Sequence, residues 1–135
     1  MVTSIDVSFK CVSPGSHRDF SRCITVTASK PVIMERASLV FGGRPAPRPH
    51  NFVIAHPNVS REHAVLLMGD FLGAPAVYLQ DTSSRFGTFK NGRNIGLART
   101  RIAHGDQVAF ALDGNANSHG KLWPLQLLPE LIFIA

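Results

Sequence analysis

Charge is sparse in this chain. Charged residues make up 17% against 44% hydrophobic ones, which excludes a disordered, highly charged segment. Cysteine is scarcer still: Cys11 and Cys23 stand twelve positions apart, a spacing that fits no common zinc site. Two thiols also make a poor disulfide framework, so both are expected to be free in a reducing compartment. The apolar C-terminal stretch is broken by Pro124, Pro129 and Glu130 and is too short to span a bilayer. Asp6 and Lys10 interrupt the apolar N-terminus, which therefore has no signal-peptide core. Nucleus or cytoplasm is the expected location, with no membrane partner. No stretch keeps a 3.6-residue apolar period over three turns, and there is no internal repeat or low-complexity tract. A substantial helix is not expected.

What the chain has instead is a period of two. With 135 residues it makes one domain, large enough to bury a single core. Ile5, Val7, Phe9 and Cys11 alternate with polar residues as a half-buried strand does, and Ile24 and Val26 do so in a second strand near 22–27. Two short strands, "PVIM" and "SLVFG", are expected either side of Glu35-Arg36. "NFVI", "HAVLLMG", "AVYLQ", "TFK", "QVAFA" and "LWPLQLL" follow, the last with Trp123, Leu125 and Leu127 on one face. Asn91-Gly92 predicts a tight hairpin from "TFK" into Arg93–Ile95. His104-Gly105-Asp106 and Asp113-Gly114-Asn115 mark further turns. About eleven short strands with regular turn signals predict an all-β sandwich.

The net charge of +5 is local. Between Arg44 and Arg101 stand eight cationic side chains against three acids, so that segment carries the whole excess. Such concentration points to an anionic partner. In a sandwich, function sits on loops at one end. The loops at 43–51, 55–62 and 81–87 are all rich in Arg, Ser and Asn.

Those loops carry "FGGR" (41–44), "SREH" (60–63) and "DTSSRFGTFKNG" (81–92), followed by "HGDQVAF" (104–110). In order, spacing and placement between strands they resemble the forkhead-associated (FHA) family of phosphothreonine-binding modules. That family has Gly-Arg ending a strand, Ser-Arg-x-His opening another, an Asp…Ser-Ser-x-Asn-Gly-Thr turn, and a late His-Gly-Asp turn. The similarity covers residues 22–128, with 1–21 as an N-terminal strand and extension of the sandwich and 129–135 as a C-terminal apolar tail. Within the family, the aromatic in "SSRFGTF" is similar to the nibrin subgroup, whose namesake acts in DNA double-strand-break repair.

The resemblance implies a phosphothreonine-dependent protein-interaction module in signalling or the DNA-damage response. It implies no enzyme, cofactor or metal, and a monomer. A phosphothreonine carries about −1.5 to −2 charges and three acceptor oxygens, so fixed donors are needed. Arg44, followed by Pro45, offers a planar fork for two phosphate oxygens. Ser60 offers a hydroxyl donor and Arg61 a second cation from the same loop. Ser84, Arg85, Phe86, Lys90 and Asn91 fall where the family contacts the phosphate or the peptide. Gly43, His63, Gly87 and Thr88 are expected to support the site, His63 as a buried strut, and Asp81 to form an Asx-type turn. Two positions depart from the pattern. Arg85 stands where the family often has Thr, and Phe86 replaces the Asn that holds the peptide backbone, removing one or two hydrogen bonds of about 0.5–1.5 kcal/mol each.

Three rival readings follow from the same residues. An FHA-fold scaffold that has lost phosphate binding would use another surface. A basic nucleic-acid-binding β domain would need exposed aromatics to stack on bases, and Tyr78 and Phe89 fall in strands; nucleic acid is not the expected partner. A Ser60–His63 nucleophile and base would need a third orienting group, which is not evident, and no Gly-x-Ser-x-Gly occurs.

Overall fold

Alternating apolar residues need a shared face to bury, and two sheets supply it. The computed structural model describes residues 4–11, 21–38, 43–55, 59–85, 87–110 and 131–134, with backbone alone at 11 and 131–134. Eleven strands are described: β1 (Ser4–Cys11), β2 (Arg22–Thr27), β3 (Val32–Arg36), β4 (Phe52–Ile54), β5 (Ala64–Phe71), β6 (Ala74–Asp81), β7 (Thr88–Lys90), β8 (Arg93–Asn94), β9 (Thr100–Ile102), β10 (Gln107–Phe110) and β11 (Leu131–Ile134). They form a six-stranded sheet in the order β2-β1-β11-β10-β7-β8 and a five-stranded sheet in the order β4-β3-β5-β6-β9. The fold is an all-β sandwich, and no helix occurs among the described residues.

Each strand feeds the core with every second residue. In β2, Arg22, Ile24 and Val26 are buried while Cys23 and Thr25 face out. Phe9, Met34, Phe52, Leu66, Leu79, Val108 and Phe110 meet in the interior, each fully buried. Phe9 packs edge-on against Phe52 at 5.1 Å between centroids, and Phe52 meets Phe110 at 6.1 Å. His63 stands edge-on to Phe110 at 5.0 Å, so this aromatic row leads from the core to one end of the sandwich. Edge-to-face pairs of this kind contribute about 0.5–1.5 kcal/mol beyond area burial.

Several expectations shift in detail. β3 does not break at Glu35-Arg36, because those residues pair in parallel with Val53 and Ile54 of β4. Of "SLVFG", Ser38 lies outside any strand and 39–42 lie outside the described residues. β5 and β6 run on to a tight turn at Leu72-Gly73, with φ of 51° and 83°. β9 lies along β6, from Val77 opposite Ile102 to Leu79 opposite Thr100, and has no counterpart among the sequence expectations. Residues 131–134, expected as a tail, form β11 between β1 and β10. The hairpin at Asn91-Gly92 forms as expected, with φ of 50° and 86°. The strand expected at 122–128 and the turn at 113–115 lie outside the described residues. Cys23 is a free, exposed thiol.

Candidate phosphopeptide site

The parallel pairing of β3 with β4 demands a long crossover, and residues 37–51 provide it. Backbone bonds pin its ends: Ala37 N–H donates to the Ile54 carbonyl at 2.8 Å, and Ser38 N–H to the Pro45 carbonyl at 2.7 Å. Pro45 follows a cis peptide bond from Arg44. Asn51 shapes the rest of the loop. Its side-chain oxygen accepts the N–H groups of Arg48 and Val53, and its amide donates to the Ala46 carbonyl. Arg44 thus sits exposed on a tethered turn.

The loop before β5 meets the same region. Arg36 N–H donates to the Ser60 carbonyl at 3.1 Å, and Arg44 and Arg61 line one cleft of about 520 Å³ with Glu35, Arg36, Ser38 and Glu62. Among the described residues, neither the Arg44 nor the Arg61 guanidinium has a hydrogen-bond or ion-pair partner. Two guanidinia without ion-pair partners, from separate loops, are chemically able to hold an anion between them.

His63 is wholly buried at the head of β5. Its Nδ1 accepts the Ser60 backbone N–H at 3.1 Å, which requires the proton on Nε2, and Nε2 then donates to the Gly87 carbonyl at 2.9 Å. Burial holds its pKa below the usual value, against the opposing effects of the Gly87 bond and the Asp81 charge. The imidazole is therefore neutral and braces the two loops by its hydrogen bonds. The same geometry leaves the Ser60–His63 nucleophile and base unformed, because neither ring nitrogen is available to the Ser60 hydroxyl.

The turn after β6 is organised around Asp81. The carboxylate accepts the Ser84 N–H at 2.9 Å, the Ser84 hydroxyl, and the Thr88 hydroxyl at 2.6 Å. Gly87 N–H in turn donates to the Ser84 oxygen at 3.1 Å. Gly87 adopts φ 90°, a conformation that favours glycine. Ser84, expected at the phosphate, has its proton engaged inside the loop. Ser60 bridges the two loops: its hydroxyl oxygen accepts the Arg85 N–H at 3.0 Å, while nothing among the described residues accepts its own proton. Arg85 is exposed beside it; Phe86 lies outside the described residues.

Lys90 and Asn91 are drawn into a separate cluster. The Lys90 ammonium lies 3.5 Å from Asp106, and the Asn91 amide donates to that same carboxylate at 3.0 Å. The Asn91 oxygen accepts the Gln107 N–H at 2.8 Å. Sequence reasoning missed Asp106 as their partner, although "HGDQ" marked the turn. Glu35 and Glu62, also missed, line the arginine cleft. Gly43 adjoins Arg44, and Thr88 is buried beneath Asp81. Phe89 is 1% exposed and Tyr78 lies over Gly69 with its hydroxyl on the Asp70 carbonyl, so neither is placed to stack on a base. Among the described residues no group of His, Cys, Asp or Glu is placed to hold a metal ion, and no helix is long and apolar enough to cross a membrane.

Comparison with known proteins agrees with this fold. No curated protein matches the chain. The crystal structure of full-length yeast Pml1p superposes with a TM-score of 0.63 at 14% identity, over 97% of this chain and 80% of that one, a likeness of fold. The family model for the FHA domain matches residues 40–111, more than half of the chain and all three site loops from Arg44 onward. The chain belongs to the forkhead-associated family, whose domains are protein-interaction modules rather than enzymes.

Proposed function

We propose that this chain binds phosphothreonine-containing proteins, with Arg44 and Arg61 gripping the phosphate and the Ser60 hydroxyl donating a third bond. The observation that carries this reading is the cleft itself, where two guanidinia from different loops stand without an ion-pair or hydrogen-bond partner among the described residues. Arg85 extends the positive surface from the third loop. In this reading Ser84, Gly87, Thr88 and His63 hold the loops in register, and Lys90 and Asn91 are restrained by Asp106 at the edge of the site. Recognition of a kinase-written mark fits signalling, in nucleus or cytoplasm. Preference for threonine over serine rests on one methyl group, about 0.8 kcal/mol, a few-fold in affinity unless shape adds to it.

Titration of a phosphothreonine peptide library, with each peptide also in unphosphorylated form, tests the proposal. Binding of phosphorylated members alone is the expected outcome. Equal affinity for both forms would instead favour a scaffold domain that uses another surface. Binding of oligonucleotides with a steep salt dependence would favour the nucleic-acid reading.

A further inference from the structure

The cleft that holds Arg44 and Arg61 contains charge of both signs. Glu35, from β3, and Glu62, next to Arg61, line it as well. Among the described residues neither carboxylate has an ion-pair partner. Burial and the Glu62 charge together raise the Glu35 pKa, and no cation outweighs them. The two acids are thus close enough for Glu62 to act on Glu35, and neither is ion-paired with an arginine of the cleft.

For a bare phosphate this arrangement works against itself, since each carboxylate repels the dianion that each guanidinium attracts. With Arg36, which lines it too, the cleft holds three guanidinia and two carboxylates, so a ligand that brings both signs suits its charges better than a bare anion. The volume of about 520 Å³ has room for more than a phosphate, inside the ~300–1,000 Å³ range of ligand pockets.

We infer that the cleft selects phosphothreonine peptides that carry a lysine or arginine near the phosphorylated residue, with Glu35 and Glu62 holding that cation while Arg44 and Arg61 hold the phosphate. This rests on the function proposed above and names its ligand class. Three residues of extended peptide span about 10 Å, so the cation belongs within that reach on one side of the phosphothreonine.

The test is a set of alanine-flanked phosphothreonine peptides in which lysine, or glutamate, is moved through the three positions on each side. Binding is measured to the native chain, to Glu62→Gln and to Glu35→Gln/Glu62→Gln. Lysine at one or more positions tightens binding to the native chain by about three- to tenfold over the alanine parent, and glutamate weakens it. In the double variant the lysine advantage disappears and the alanine parent binds more tightly, because the repulsion has been removed. A merely structural role for the two acids would weaken every peptide alike. Glu62 is exposed, so the single variant keeps the test informative should the double variant unfold. If the alanine parent binds and lysine gives no advantage anywhere, the phosphothreonine reading stands and this inference falls. If no phosphorylated peptide binds at all, both fall together.

Discussion

The Ser60 hydroxyl accepts the backbone N–H of Arg85 at 3.0 Å across 25 residues of sequence. That bond, with the two made by the His63 ring, fastens the loop before β5 to the loop after β6. The two loops therefore move and fail as one unit, which sets different expectations for substitutions inside the unit and outside it.

Arg44 lies outside. Arg44→Ala is expected to lower phosphothreonine-peptide affinity at least tenfold, since a hydrogen bond to a charged group contributes about 1.5–3 kcal/mol. Its melting temperature should stay within a degree or so of the native one, because an exposed side chain without partners is removed. Ser60→Ala should lose affinity and also about 0.5–1.5 kcal/mol of stability, as the tie to Arg85 goes with the hydroxyl. Calorimetric titration and thermal unfolding of both variants separate the two effects.

His63 makes stability fall in mild acid. Its pKa is lowered in the folded state, so between that value and the 6.5 of an ordinary histidine the unfolded chain binds more protons. The stabilisation is complete above about pH 6.5 and is lost as pH falls through that window. Urea midpoints at pH 7.5 and 5.5 should differ for the native chain and differ less for His63→Gln. Peptide binding should weaken over a similar range, where the phosphate loses its second charge near pH 6. Equal affinity at pH 5 and 7.5 would count against the site.

Gly87→Ala should cost about 1–2 kcal/mol, because φ of 90° is strained for any residue with a Cβ. The loss should be larger if the strained turn also gives up the His63 bond to its carbonyl. Denaturant midpoints measure the cost, and the imidazole proton resonances of His63 report whether that bond survives.

Asp106→Ala should loosen the β7–β8 hairpin. Burial raises the pKa of this carboxyl, but the Ala103 N–H, the Asn91 amide and the Lys90 charge outweigh burial and hold it below the usual 3.8. Its contribution is therefore present above about pH 4 and fades as pH falls through the lowered pKa. Hydrogen exchange at Lys90 to Ile95 should quicken in the variant at neutral pH and change little in β2.

Much of this was legible in the sequence where local chemistry decides the outcome. Ile24 and Val26 declared an inward face, Asn91-Gly92 declared its turn, and His63 declared itself a strut by standing at the head of an apolar strand. The structure departs where partners distant in sequence decide. Glu35 and Arg36 looked like a break until β4 paired with them, and Leu72-Gly73 turned the chain without the Asn or Asp that usually signals such a hairpin. Ser84 is a local exception: its hydroxyl, expected at the phosphate, is taken by Asp81 only three positions before it, inside the turn that Asp81 was expected to form. Glu35 and Glu62 gave no sign of sharing a cleft, since 27 positions separate them and only the β3–β5 neighbourhood unites them.

The place of β11 gives the six-stranded sheet an unusual dependence. Among the described residues, 131–134 are the sole bridge between the β2–β1 pair and the strands β10, β7 and β8. Cutting the chain just before residue 131 would thus do more than trim an edge. It would open a gap down the middle of one layer and leave two strips, each with a newly bare margin of backbone. In an expression screen, shortened versions ending before that point should be the ones recovered as aggregates.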